Sequence, residues 1–292
     1  MWNGLPEKQK TMIERIDGHH HLWRYNEKEY AWIGPQMKAL AKDFLADELR
    51  CELARSGIHG SVAVQARQTL DETHWLLEVA ENCEVIRGVV GWAPIATADF
   101  PKVLEALHPF TRLKGLRHVV QDEPDREYLL RPDFNAGIAL LKQYSLTYDI
   151  LIFEHHLPAA ICFVDGHPAQ IFVLDHMAKP RVRDGQLEPW RTNIRELARR
   201  ENVYCKLSGL ATEADWKQWR PTELHAYLDV VLEAFGPDRL IAGSDWPVCL
   251  LATTLPHWFS TLQDYLRDLS VAEQEAILGG VATEIYSLDR NR

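Results

Sequence analysis

Short apolar runs rich in β-branched residues recur along the chain, and stretches whose apolar positions return every three or four residues lie between several of them. The runs at 13–17, 60–65, 86–92, 113–119, 147–153, 170–174, 203–207 and 240–242 read as strands, being too short for helices and bounded by turn residues. The stretches at 46–56, 72–82, 134–144 and 223–235 read as amphipathic helices. The first carries Leu49, Leu53 and Ala54 and stops at Gly57; the second puts Trp75, Leu76, Val79 and Ala80 on one face; Gly236-Pro237 ends the last. Strands alternating with helices predict a parallel sheet. Eight such units in 292 residues predict an α/β fold of one domain, a (β/α)8 TIM barrel over 13–288 with an N-terminal extension over 1–12. An open doubly wound sheet is the rival, weakened because no G-x-G-x-x-G follows a strand. Segment 24–45, with Tyr25, Tyr30, Trp32 and Phe44, predicts a long first loop over the barrel mouth.

A barrel of this kind carries its active site at the C-terminal ends of the strands. The residues expected there are His19 and His21, Gln65, Trp92, Arg117 and His118, His155 and His156, His176, Lys206 and Asp245. Five of the eight strand ends carry His or Asp, a concentration that 13 histidines scattered at random would not give. In extended chain His19 and His21 point to one side, since side chains alternate, and His20 points to the other. Two imidazoles on one face can share a metal ion or a substrate oxygen.

Composition changes the picture only by exclusion. The formal net charge is -10, with 42 acids against 32 Lys and Arg, which disfavours a nucleic-acid partner. Five scattered cysteines without a C-x-x-C read as reduced thiols of a cytosolic protein. The first residues, MWNGLPEKQKTMIERID, hold no apolar signal core, and no apolar run is long enough to span a membrane, so a cytoplasmic location is expected. No G-x-S-x-G elbow occurs, which disfavours a serine nucleophile.

The matching stretches IDGHHHLWRY (16–25), VAVQA (62–66), GVVGW (88–92), KGLRHVVQDEPD (114–125), LTYDILIF (146–153), FVLDHMAKP (172–180), VYCKLSGL (203–210) and FGPDRLIAGSDWPV (235–248) run in order through nearly the whole chain. In this the chain resembles the amidohydrolase superfamily, and within it the sugar-lactonase, L-fuconolactonase-like branch. H-x-H alone is a weak motif; together with LDHMAKP and GSDWPV it is strong for the superfamily, and the KGLRHVVQDEPD block is the part most specific to the branch. The resemblance implies a hydrolase that opens a sugar (aldono) lactone to the free acid. In one departure, the place after the fourth strand where binuclear members bridge two metals reads Leu116-Arg117-His118. A cationic Arg there implies at most one divalent ion, Zn²⁺ or Mn²⁺, on His19, His21 and Asp245. Some lactonases of the superfamily work without metal, so metal-free catalysis stays open.

Lactone hydrolysis needs a water deprotonated as it attacks and a proton returned to the ring oxygen, and Asp245 is the expected group for both. The plain alternative is an Asp capping the next helix. His176 is expected to orient Asp245 or the water, against a merely satisfied buried histidine. Arg117, His118, Trp23, Gln65, Trp92 and His155 are expected to bind substrate, His155 also standing where mononuclear relatives place a third metal ligand. For Arg117 the alternative is a salt bridge with Asp122 or Glu123, and for the tryptophans simple packing. Lys206 and Lys179 are weaker candidates. The rival functions are a metal-dependent decarboxylase of the same superfamily and a non-catalytic metabolite-binding barrel. A small sugar lactone is the expected partner; a homo-oligomer is compatible with the sequence.

Overall fold

In the computed structural model, which describes residues 14–288, the Val- and Ile-rich runs form eight strands: β1 Ile16–His20, β2 Gly60–Val64, β3 Ile86–Gly91, β4 Leu113–Val119, β5 Thr147–Leu151, β6 Phe172–Leu174, β7 Val203–Leu207 and β8 Leu240–Ala242. Each pairs in parallel with the next in chain order. β8 returns to β1 through a short seam. The Asp245 N–H donates to His19 O at 2.8 Å and the His21 N–H to Trp246 O at 2.6 Å. The Ser244 hydroxyl donates to the Asp17 carboxylate at 2.6 Å. Gly18 is needed at this seam, because a Cβ there would collide with the Ile241 side chain. A helix follows each strand: α1 Ala46–Arg55, α2 Leu70–Glu81, α3 Phe100–Leu107, α4 Pro132–Leu141, α5 Leu157–Asp165, α6 Trp190–Leu197, α7 Pro221–Phe235 and α8 Leu255–Leu266, with the short helices Val271–Glu275 and Val281–Ile285 after the last. The fold is a (β/α)8 barrel.

Alternation along the strands separates two apolar layers. Ile16, Val62, Val64, Val90, Val173 and Ile241 form one buried cluster with Tyr286 and Leu288 of the C-terminal segment. Their neighbours Ala63, Val89, Phe172, Leu174, Leu240 and Ala242 belong to a second cluster shared with the surrounding helices. The first cluster fills the lower barrel. Continuing its parity toward the strand ends brings charges: Asp149, Asp175, Lys206 and Asp245.

Several predicted boundaries shift. The first strand, expected over 13–17, runs on to His20 because Gly18 continues it across the seam; residue 13 and the expected extension over 1–12 lie outside the described residues. β5 ends at Leu151, two residues earlier than expected, and a helical turn Glu154–His156 follows. α4 and α7 start earlier than expected because Pro132 and Pro221 occupy first helical positions, where the missing N–H has no intrahelical partner to lose.

The first loop is long, as its composition predicts, and it is anchored. Trp23 and Phe44 exchange backbone hydrogen bonds of 3.0 and 2.9 Å. Their rings lie 5.4 Å apart, with Tyr30 and Trp246 packed alongside. The Tyr30 hydroxyl donates to buried Glu72, whose other oxygen accepts from the Ala66 and Arg67 N–H groups. Among the described residues no helix is long and apolar enough to cross a membrane.

Candidate active site

A layer of fully buried charges lies above the apolar plug. The Lys206 ammonium donates to Asp149 at 2.5 Å and sits 3.0 Å from Asp175 and 3.1 Å from His19 Nδ1. The Arg117 guanidinium donates to Asp175 at 2.9 Å and to the Gln65 carbonyl. From below, the Tyr286 hydroxyl donates to Asp149 at 2.8 Å. Burial pushes the Asp149 carboxyl up despite Lys206 beside it. Asp175 is buried too, but Lys206, His19 and Arg117 together hold it well below the carboxylate range.

Above this layer three acceptor atoms converge. His19 Nε2 and His21 Nε2 are 3.2 Å apart, and Asp245 Oδ1 lies 3.3 Å from His21 and 3.8 Å from His19. His21 Nδ1 is 2.7 Å from the Val64 carbonyl, so it carries the proton and leaves Nε2 bare. Ligands about 2 Å from a tetrahedral ion lie roughly 3.3 Å apart, so the three atoms fit one divalent ion. His19 can hold its protons in two ways. If Asp175, 3.3 Å away, accepts from Nδ1–H, then Nε2 is bare and available to a metal. If Lys206 donates to Nδ1, then Nε2–H donates to His21 and no metal is needed. Arg117 Nη1, 3.4 Å from His19 Nε2, sets a cation where a second ion would go. His19, Asp175 and His176 also come within 4.8 Å of one another, but Asp175 is already engaged by Lys206 and Arg117.

His176 enters the site on unusual backbone. His176, Met177, Ala178 and Lys179 have φ of 52, 54, 57 and 51°, a left-handed turn built without glycine. Such backbone costs roughly 1–2 kcal/mol per residue, and local contacts hold it in place. The Trp190 indole donates to Met177 O at 2.7 Å. The Lys179 N–H donates to His176 O at 2.8 Å. Gly209 lies so close that a Cβ on it would stand 2.7 Å from His176 Nδ1. That nitrogen is 2.8 Å from Ser208 Oγ, and Nε2 is 3.9 Å from Asp245. Burial pushes the His176 pKa down to about 4, so the ring is neutral at neutral pH. Asp245 is itself left-handed, at φ 58°. Burial would raise its pKa, but the nearby His176, His21 and Lys179 outweigh it and hold the carboxyl below its ordinary value.

These groups open into a cavity of about 720 Å³, within the size range of small-molecule sites. His21, Arg117, His176 and Asp245 line it, together with Lys179 and Glu213. Glu29, Trp32 and Met37 of the first loop form part of its wall.

Five expected substrate-binding residues do not line it. Trp23 is locked in the aromatic anchor of the first loop. Arg117 and His118 are adjacent on β4, so alternation turns His118 away from the barrel. There it accepts from the Trp92 indole at 3.2 Å, donates to Glu123 at 2.6 Å and stacks on Tyr128, which occupies Trp92 as well. Gln65 is fully buried, with its Nε2 3.4 Å from the Arg117 carbonyl. His155 is exposed, because the helical turn after the shortened β5 rotates it outward against Phe153 and His156, while Leu151 and Phe153 face the cavity. The Arg117 partner is Asp175, not Asp122 or Glu123. Asp149, Asp175 and Glu213 were not singled out from sequence. For the first two the available signal was an acid inside or closing an apolar run, in LTYDILIF and FVLDH.

A family model described as amidohydrolase matches residues 16–288. The chain is 42% identical to the L-fucono-1,5-lactonase of Burkholderia multivorans over 94% of this chain and 96% of that one. It is 34% identical to the L-fucono-1,5-lactonase of Burkholderia ambifaria over 96% and 97%. A crystal structure of an amidohydrolase from Burkholderia multivorans with bound zinc superposes with a TM-score of 0.92, at 42% identity, covering 94% of this chain and all of that one. The layered barrel with its converging His19, His21 and Asp245, matched along its whole length, belongs to the amidohydrolase family.

Proposed function

We propose that the protein is a hydrolase that opens an aldonolactone, of the L-fuconolactone class, to the sugar acid. The observation that carries this reading is the Asp245 carboxyl group set at the cavity floor between His21 and His176. The two L-fucono-1,5-lactonases at 42% and 34% identity support the substrate class.

In this mechanism a water beside Asp245 attacks the lactone carbonyl carbon while the carboxylate takes its proton. The C=O π pair moves onto oxygen. Arg117, held at the floor by Asp175, stabilises that charge. With the Ser208 hydroxyl donating to His176 Nδ1, the ring carries its proton on Nε2 and supplies a second donor to the oxyanion. Collapse of the adduct breaks the bond to the ring oxygen, which takes the proton from Asp245 and leaves as a hydroxyl. His19 and His21 hold Asp245 and the water in register. A divalent ion bound by His19, His21 and Asp245 would add polarisation of the carbonyl and a lower pKa for water.

The test is acid release from a panel of L-fucono-, L-galactono- and D-arabinono-lactones, before and after chelation. Release that survives chelation supports direct action by Asp245 and the histidines. Release that is lost on chelation and restored by Zn²⁺ or Mn²⁺ assigns the ion a role. No release from any lactone refutes the reading.

A further inference from the structure

Two opposite charges face the cavity without meeting. Glu213 closes the helical turn Ala211–Glu213 after β7 and lines the cavity. Its backbone is fixed: its N–H donates to Leu210 O at 3.2 Å and its carbonyl accepts from the Arg183 N–H at 3.0 Å. Its side chain is not: among the described residues no Lys, Arg or His nitrogen lies within 4 Å of its carboxylate. Lys179 stands at the end of the left-handed turn and lines the same cavity, its ammonium 5.4 Å from the centre of the Phe153 ring. No carboxylate among the described residues lies within 4 Å of it either. The two attract each other through the cavity, and Asp245 opposes the charge on Glu213, which burial already disfavours. Elsewhere on the wall Arg67 contacts Glu29 at 2.6 Å and Arg117 contacts Asp175, while the exposed Asp122 has no ion-pair partner among the described residues.

A carboxylate and an ammonium held apart in a partly buried wall keep their hydrogen-bonding capacity for what enters the cavity. A ligand bearing adjacent hydroxyls satisfies both, since a hydroxyl donates as well as accepts. An anionic ligand would meet Asp245 and Glu213 together. We propose that Glu213 and Lys179 are specificity-determining residues that read the ring hydroxyls of a neutral lactone, Glu213 accepting from one and Lys179 donating to another. This inference rests on the lactonase reading above.

The experiment compares wild type, Glu213→Gln and Glu213→Lys on three lactones: L-fuconolactone, unsubstituted δ-valerolactone, and D-glucaro-1,4-lactone, which carries a free carboxylate. Hydrogen bonds to charged groups correspond to roughly tenfold or more in affinity. Glu213→Gln is therefore expected to lower kcat/KM for L-fuconolactone about tenfold more than for δ-valerolactone, chiefly through KM. Glu213→Lys is expected to shift the preference between L-fuconolactone and D-glucaro-1,4-lactone toward the anion by about tenfold or more. Equal losses on the hydroxylated and plain lactones, or no change on L-fuconolactone, overturn the inference while the wild type's activity leaves the lactonase reading standing. A wild type that opens no lactone removes both. If the variants fold poorly by circular dichroism, deoxy lactones on the wild type decide the matter. At least one hydroxyl deletion must raise KM about tenfold, and uniform KM values across the deoxy series overturn the proposal.

Discussion

Asp245 stays ionised in a buried place because its neighbours outweigh burial, and this sets its pH behaviour. Its carboxyl is held below the ordinary value, and His176 stays neutral above about pH 4. The base form is therefore present throughout the neutral range and is lost only in acid. The expected profile of kcat/KM for a neutral lactone is flat from about pH 8 down to about pH 5 and falls below that, as His176 and then Asp245 take protons. A break between pH 6 and 7 would assign the proton transfer to another group. Asp245→Asn keeps the shape of the side chain but removes the base. Its kcat is expected to fall about 10²- to 10⁴-fold, while equilibrium dialysis still shows lactone bound. At this scale the sequence was most legible where one residue type has one use: H-x-H and the acid of GSDWPV were read directly. Lys206 was read only as a weaker strand-end candidate and Asp149 and Asp175 not at all, because their meaning lies in one another. His118 was expected beside Arg117, but neighbours on a strand take opposite faces and the structure turns it away from the cavity.

The element that presents His176 and Lys179 is a left-handed turn, and Gly209 is the residue that leaves room for it. Gly209 has φ +66°, and a Cβ there would press on the His176 ring. Gly57 has a similar φ of +62°, but a Cβ on it would meet only an Arg15 nitrogen at 3.8 Å. Gly57→Ala therefore reports the backbone strain alone, roughly 1–2 kcal/mol. Gly209→Ala adds the displacement of His176. It is expected to lose about 1–3 kcal/mol more in urea denaturation and at least about tenfold in kcat, whereas Gly57→Ala keeps its turnover. Equal behaviour of the two variants would show that the contact with His176 does not matter. Nothing in the sequence pattern of FVLDHMAKP announces such a turn, since none of its residues is glycine. The eight strands were legible because each is a short, largely apolar run, with helical stretches between several of them. Their ends were less so, because Gly18 continues a strand that a glycine usually interrupts, and Pro132 and Pro221 begin helices rather than ending them.

The barrel as a whole is filled in two ways, with an apolar plug below and ionic pairing above. The ionic layer ties distant parts of the chain together. Lys206 on β7 meets Asp149 on β5 and Asp175 just past β6, and Tyr286 from the C-terminal segment closes on Asp149. All three charged side chains are fully buried. Each lost partner then leaves a charge that water cannot reach. Lys206→Met fills a similar volume but leaves Asp149 without a cation and Asp175 with Arg117 alone, and a loss of about 3–5 kcal/mol is expected, a large share of the roughly 5–15 kcal/mol that holds a folded protein together. The pH dependence separates this cause from poor packing. Asp149 already has a raised pKa with Lys206 present, and losing that cation raises it further. In the variant the folded state then binds a proton that the unfolded state has released, so stability falls as pH rises above the ordinary carboxylate range. The deficit against wild type should be smaller at pH 5 than at pH 8. Adding Asp149→Asn to Lys206→Met should recover part of the loss at pH 8 and little at pH 5. A deficit that is constant with pH, and untouched by Asp149→Asn, would mean that Lys206 fills space in the barrel without balancing its charges.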